Sequence, residues 1–127
     1  MFRRSEEKRA EKRAREAAIQ AEVDRLKALG PDALAVEVLP ILAAAAPKST
    51  AGRVYVQEIC RELVGTVSGR ANLALNQPVR EALQRLEHAN LVLQVPETGT
   101  SSWRITTEGE QAVGAGNIAD KLGPSTS

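Results

Sequence analysis

From Arg3 to Leu29 the chain runs without a glycine or a proline, and most of its positions are Glu, Lys, Arg or Ala. These side chains lose little freedom in a helix. The stretch therefore has one good option, a single long helix that Gly30-Pro31 stops. At about 1.5 Å per residue such a rod is about 40 Å long, which is more than a small domain is wide. The rest of the 127-residue chain suffices for one such domain.

The first half of the rod is basic. Arg3, Arg4, Lys8, Arg9, Lys12, Arg13 and Arg15 stand against Glu6, Glu7 and Glu11, a net +4 over residues 3–15. The whole chain carries only +1, and from residue 28 onward 8 basic side chains face 10 acidic ones. Glu11 with Arg15, and Glu6 with Arg9, have the spacing of helical ion pairs. An apolar seam appears only late, as Ile19, Val23, Leu26 and Leu29, and is shorter than the three or four heptads that specify a coiled coil. Three roles fit: a solvated extension partly docked on its own domain or on a partner, a dimerising helix, or a basic arm for nucleic acid.

Composition decides how the domain fills its core. Apolar residues make up 43%, yet there is one Phe, one Trp and one Tyr, so Leu, Val, Ile and Ala must pack closely, as helices do. The single cysteine excludes an internal disulfide, and Cys60, in an apolar helical pattern, reads as a small buried hydrophobe. No run approaches the roughly 18 apolar residues of a bilayer span. The N-terminus lacks the apolar centre of a secretory signal, so a cytoplasmic protein with no membrane partner is expected. With one histidine, no nucleophile–base spacing and no Lys-Ser/Thr after GTVSG, neither an enzyme nor a cofactor or metal site is expected.

Asp32 reads as the cap of a second helix running to the alanines at 43–46, with Pro40 bending or splitting it. After a loop at 47–52, Val54 to Val56 suit a very short strand. A third helix opens at Gln57 on Ile59, Cys60, Leu63 and Val64. Residues 65–76, GTVSGRANLALN, read as a long irregular connection with room for an extra helical turn. A fourth helix is expected at 76–89, capped by Asn76 with Pro78 in its first turn, burying Val79, Ala82, Leu83 and Leu86. Asn90 suits the left-handed residue that closes a helix. Leu91 to Val95 and Ser102 to Thr106 read as two strands joined by a turn at 96–102. Trp103 and Ile105 then point inward together, Thr107 caps a short helix over 108–113, and the end of the chain frays. The expected organisation is a charged helical extension at 1–30, a domain at 31–115 and a flexible tail at 116–127.

The order of elements, with ALQRLEHANLV leading into the ribbon and WRITTEG leading out of it, resembles the winged-helix variant of helix-turn-helix, as in transcriptional regulators of the MarR and PadR kind. The resemblance covers about residues 32–113 and is carried by Leu83, Leu86, Leu91, Val92, Trp103, Ile105, Thr106, Thr107 and Gly109. It implies a mainly α fold with a small β-hairpin wing, here with a long charged N-terminal helix added. It also implies a homodimer that binds duplex DNA and regulates transcription or organises DNA, with the helix at 76–89 in the major groove and the wing at 96–102 alongside. Gln77, Arg80 and Gln84 would then face base edges, and Arg104, Thr100, Ser101 and Arg70 would meet phosphates. Two features depart from the pattern: the long connection before the fourth helix, and the mild acidity of everything after residue 28. Winged helices also serve as protein-interaction modules, so the alternative is a non-catalytic module that joins a larger complex through its charged N-terminal helix.

Overall fold

The computed structural model describes residues 2–49, 52–66, 69–96 and 101–123, without the side chains of residues 2–5, 70, 96 and 101. The fold is mainly α with a small three-stranded antiparallel sheet. In chain order it comprises α1 (Phe2–Ala28), α2 (Pro31–Ala45), β1 (Val54–Tyr55), α3 (Val56–Val64), α4 (Gly69–His88), β2 (Val92–Pro96), β3 (Ser101–Ile105), α5 (Thr107–Ala115) and α6 (Ile118–Leu122). Among the described residues no helix is long and apolar enough to cross a membrane.

α4 is the hub, and α1, α2 and α3 all pack against it. Its buried face is Ala71, Leu75, Val79, Ala82, Leu83 and Leu86, at steps of four, four, three, one and three, the spacing of one helical face. That face meets Leu34, Ala35, Val38, Leu39 and Leu42 of α2 and Ile59 and Cys60 of α3 in a single aliphatic core. The helix continues through Pro78. A mid-helix proline costs about 3 kcal/mol, which the burial on either side of it outweighs at about 1.5–3 kcal/mol per large aliphatic side chain. Pro40 likewise lies within an unbroken α2.

Several starting points differ from those the sequence suggests. The cap of α2 is Gly30, whose carbonyl accepts from Leu34 N at 2.9 Å, with Pro31 at the first helical position. Asp32 therefore lies inside the helix, where it pairs with Arg85. α3 opens one residue earlier than expected, at Val56, and ends on Gly65, which takes a left-handed φ of 86°. α4 begins at Gly69 rather than Asn76, so only positions 65–68 separate it from α3. The long connection thus disappears into helix, because Ala71 and Leu75 extend the buried stripe of Val79 by a further two turns.

In the sheet, β3 lies between β1 and β2. Val54 and Gln94 both stand opposite Trp103, and Val92 stands opposite Ile105. Trp103 is 3% exposed and belongs to the core, so the single indole roofs the aliphatic helices as its strand alternation predicts. Asn90 closes the α4 turn at φ 64°. The cap of α5 is Thr106, one residue before the expected Thr107: its Oγ1 accepts from Gly109 N at 3.0 Å and donates to the Asn90 carbonyl at 2.7 Å. Residues 118–122 of the expected tail form α6, which buries Ile118 and Leu122.

α1 is docked by its last third only. Val23 and Leu26 are buried and Ile19 and Leu29 pack at the margin, whereas residues 6–18 are all exposed. Arg25 bridges Glu22 of its own helix and Glu37 of α2, and its guanidinium holds the Glu22 carboxyl below its ordinary pKa.

Candidate nucleic-acid interface

The face of α4 opposite the core carries Leu73, Gln77, Arg80 and Gln84, at steps of four, three and four. All four are exposed. Gln77 Nε2 reaches Glu81 Oε1 at 3.4 Å, a long contact between neighbouring turns. From Gln77 to Gln84 the helix rises about 10 Å, the length of about three base-pair steps. The three polar residues singled out from sequence thus share one outward stripe.

The other expected contacts are distributed differently. Arg70 lies in the first turn of α4, with its side chain outside the described residues. Thr100 falls outside the described residues altogether, and Ser101 opens β3 with its side chain likewise outside them. Arg104 is exposed on β3, on the face opposite Trp103 and across from Leu93. Its guanidinium sits over the bend at Gly52, whose φ is 71°. His88, at the end of α4, is exposed.

One residue that sequence reasoning missed is Leu73. It is 85% exposed, the most open large hydrophobe among the described residues, with Leu93 next at 57%. The signal was available: Leu73 continues the 77–80–84 stripe by one step of four, but only once the helix is seen to begin before Asn76.

A second concavity lies between α2 and α3. It is an open groove of about 1090 Å³ with Pro40, Ile41, Ala44 and Ala45 on one side and Lys48, Arg53, Arg61, Glu58 and Glu62 around it. Its cations and acids nearly balance, so it has no marked affinity for either sign of charge. Cys60 is 1% exposed, and burial pushes its thiol up to about 11, which leaves it a neutral, unreactive packing group.

α4 therefore combines a sealed face with an open one that holds an Arg, two Gln and a Leu, which can serve base edges or the surface of another protein. Comparison with family profiles, with curated proteins and with solved structures gives no match to this chain.

Proposed function

We propose that this protein binds duplex DNA as a winged-helix module, with α4 as the groove helix and the β2–β3 ribbon as the wing, and that it acts as a homodimer in transcriptional regulation or DNA organisation. The observation that carries this reading is the outward stripe of Gln77, Arg80 and Gln84 on a helix whose other face is sealed in the core. A connection of four positions from α3 accompanies it, which is the length usual in a helix-turn-helix. Gln pairs through two hydrogen bonds with adenine and Arg with guanine, each worth about 1–3 kcal/mol of discrimination. Leu73 adds an apolar group of the kind that meets a thymine methyl.

The test is binding to a pool of random duplexes, followed by titration of the enriched sequence with the wild type and with Q77A/R80A/Q84A. The variant should bind the selected and scrambled duplexes alike. If the wild type enriches no sequence, or the triple variant keeps full discrimination, the groove reading is wrong.

A second reading draws on two further observations: the excess of acid after residue 28 and the exposure of Leu73 on the same stripe. In it, the protein is a non-catalytic interaction module assembled into a larger complex through the charged N-terminal helix. A stable co-purifying protein partner, lost on deleting residues 1–18, together with the absence of sequence enrichment, would favour it over DNA.

A further inference from the structure

The exposed half of α1 has a sidedness that its overall composition hides. In a continuous helix each residue advances by about 100°, and α1 is unbroken from Phe2 to Ala28. Lys8, Lys12 and Arg15 therefore fall in line with Ile19, Val23 and Leu26, at steps of four, three, four, four and three. Arg9 and Arg13 both lie on one flank of that line, about 80° and 120° from its middle. Within residues 6–18 the half of the surface centred on the direction of Val23, about 40° from the middle of that line, holds all five cations and one acid, Glu16. The opposite half holds Glu6, Glu7, Glu11 and four alanines.

Two further observations give this pattern meaning. The roll of α1 is fixed at its base, where Val23 and Leu26 are buried and Arg25 bridges Glu22 and Glu37. The cationic half is consequently held toward the side on which the domain lies. Moreover, among the described residues none of the five cations is in an ion pair, so the Glu6–Arg9 and Glu11–Arg15 pairs expected from spacing do not close. Five exposed cations without partners, three in line with the docked seam and two on one flank of it, form a broad row about 10 Å long between Lys8 and Arg15.

We propose that this row is a phosphate clamp: Lys8, Arg9, Lys12, Arg13 and Arg15 grip the sugar-phosphate backbone of the duplex that α4 reads. The choice of duplex as the polyanion rests on the functional reading above. The row supplies what the rest of the module lacks. Phosphate neutralisation provides essentially all non-specific affinity and much of the specific affinity in protein–DNA complexes, yet residues from 28 onward carry more acids than bases. A straight helix matches a straight polyanion, and contacts to phosphate position a protein without specifying sequence.

The experiment titrates a scrambled and a selected duplex against the full chain, against K8Q/R9Q/K12Q/R13Q/R15Q, and against a control, A10Q/A14Q/A17Q, on the opposite side of the helix. Glutamine keeps helix propensity close to that of the residues replaced, and circular dichroism checks that helicity is unchanged. The five-fold variant should lose affinity for both duplexes by about tenfold or more in low salt, with its log–log salt slope shallower by about 0.9 per contact removed. The control should match the wild type. The clamp is overturned if the five-fold variant keeps the wild-type affinity and slope. If Q77A/R80A/Q84A then loses discrimination, the groove reading survives without the clamp. If the arm variant loses affinity while Q77A/R80A/Q84A changes nothing, the clamp stands and the groove reading falls. No binding of any duplex by the wild type in low salt overturns both.

Discussion

Arg85 Nε donates to Asp32 Oδ1 at 2.6 Å, joining residues 53 positions apart in the chain. The same guanidinium donates from Nη2 to the Leu122 carbonyl at 2.6 Å, so one side chain of α4 holds the start of α2 and the end of α6. Both ionic partners remain about 30% exposed, which moderates the worth of the pair through solvent screening. Replacing Arg85 by Ala should cost about 1–2 kcal/mol. Urea unfolding checks this: the midpoint should fall with little change in slope. A cycle with Asp32→Ala should give a coupling of about 0.5–1 kcal/mol.

Trp103→Ala should be among the most damaging single changes. The indole is 3% exposed beneath a strand paired on both sides, and large aromatic truncations in cores cost about 3–5 kcal/mol. Since this is the only tryptophan, its fluorescence should be blue-shifted in the native wild type and shift to red at the same denaturant concentration at which helicity is lost. Trp103→Phe should retain the fold with a smaller loss.

Gly109→Ala should destabilise although the site lies inside a helix, where alanine is normally preferred. A Cβ there would overlap the Leu91 carbonyl oxygen and stand 2.7 Å from Ile105 Cγ1. The first of these neighbours is backbone, already holding Thr106 N at 3.0 Å, so it yields only by distorting the junction. Overpacking of this kind costs about 1–3 kcal/mol or more. Thermal melts should also place Thr106→Ala below wild type by about 0.5–2 kcal/mol, from loss of the cap to Gly109 N.

Cys60 makes stability depend on pH at the alkaline end. Its folded pKa is raised, to about 11, by burial, whereas an unfolded thiol ionises near 8.5. The folded state thus holds this proton more tightly. The contribution is fully present below about pH 8.5 and is lost as pH rises through about 11. Comparing urea midpoints of wild type and Cys60→Ala from neutral to alkaline pH checks this: the wild type should fall more steeply across that window. A thiol reagent at neutral pH should label Cys60 only on unfolding.

Much of this was legible in the sequence because short-range chemistry decided it. Gly30-Pro31 could end only one helix and begin another, Asn90 could take positive φ at little cost, and Trp103 with Ile105 alternated as a strand demands. The errors arose where local signals competed with burial. Asn76 followed by Pro78 has the form of a helix start, yet Ala71 and Leu75 already lay on the stripe of Val79, and burial along six positions outweighed one proline. Thr106 and Thr107 are equivalent as caps by type, and only the hydrogen bond to the Asn90 carbonyl selects the first. Ile118 and Leu122 are four apart, but a five-residue helix has too little periodicity to announce itself. Of the candidate interface, the polar stripe was readable from spacing alone, whereas the exposure of Leu73 became visible only with the helix start corrected.

The two-residue strand β1 has consequences for the order in which a growing polypeptide acquires shape. Among the described residues its sole strand neighbour is β3, with Val54 opposite Trp103, so its ladder waits for roughly fifty further residues to be synthesised and brought back. Helices α1 to α4 all precede that moment. A chain halted before Ser101 would carry its rods and much of its aliphatic interior while leaving the Val54 edge bare, and the last strand to arrive joins both of its neighbours at once.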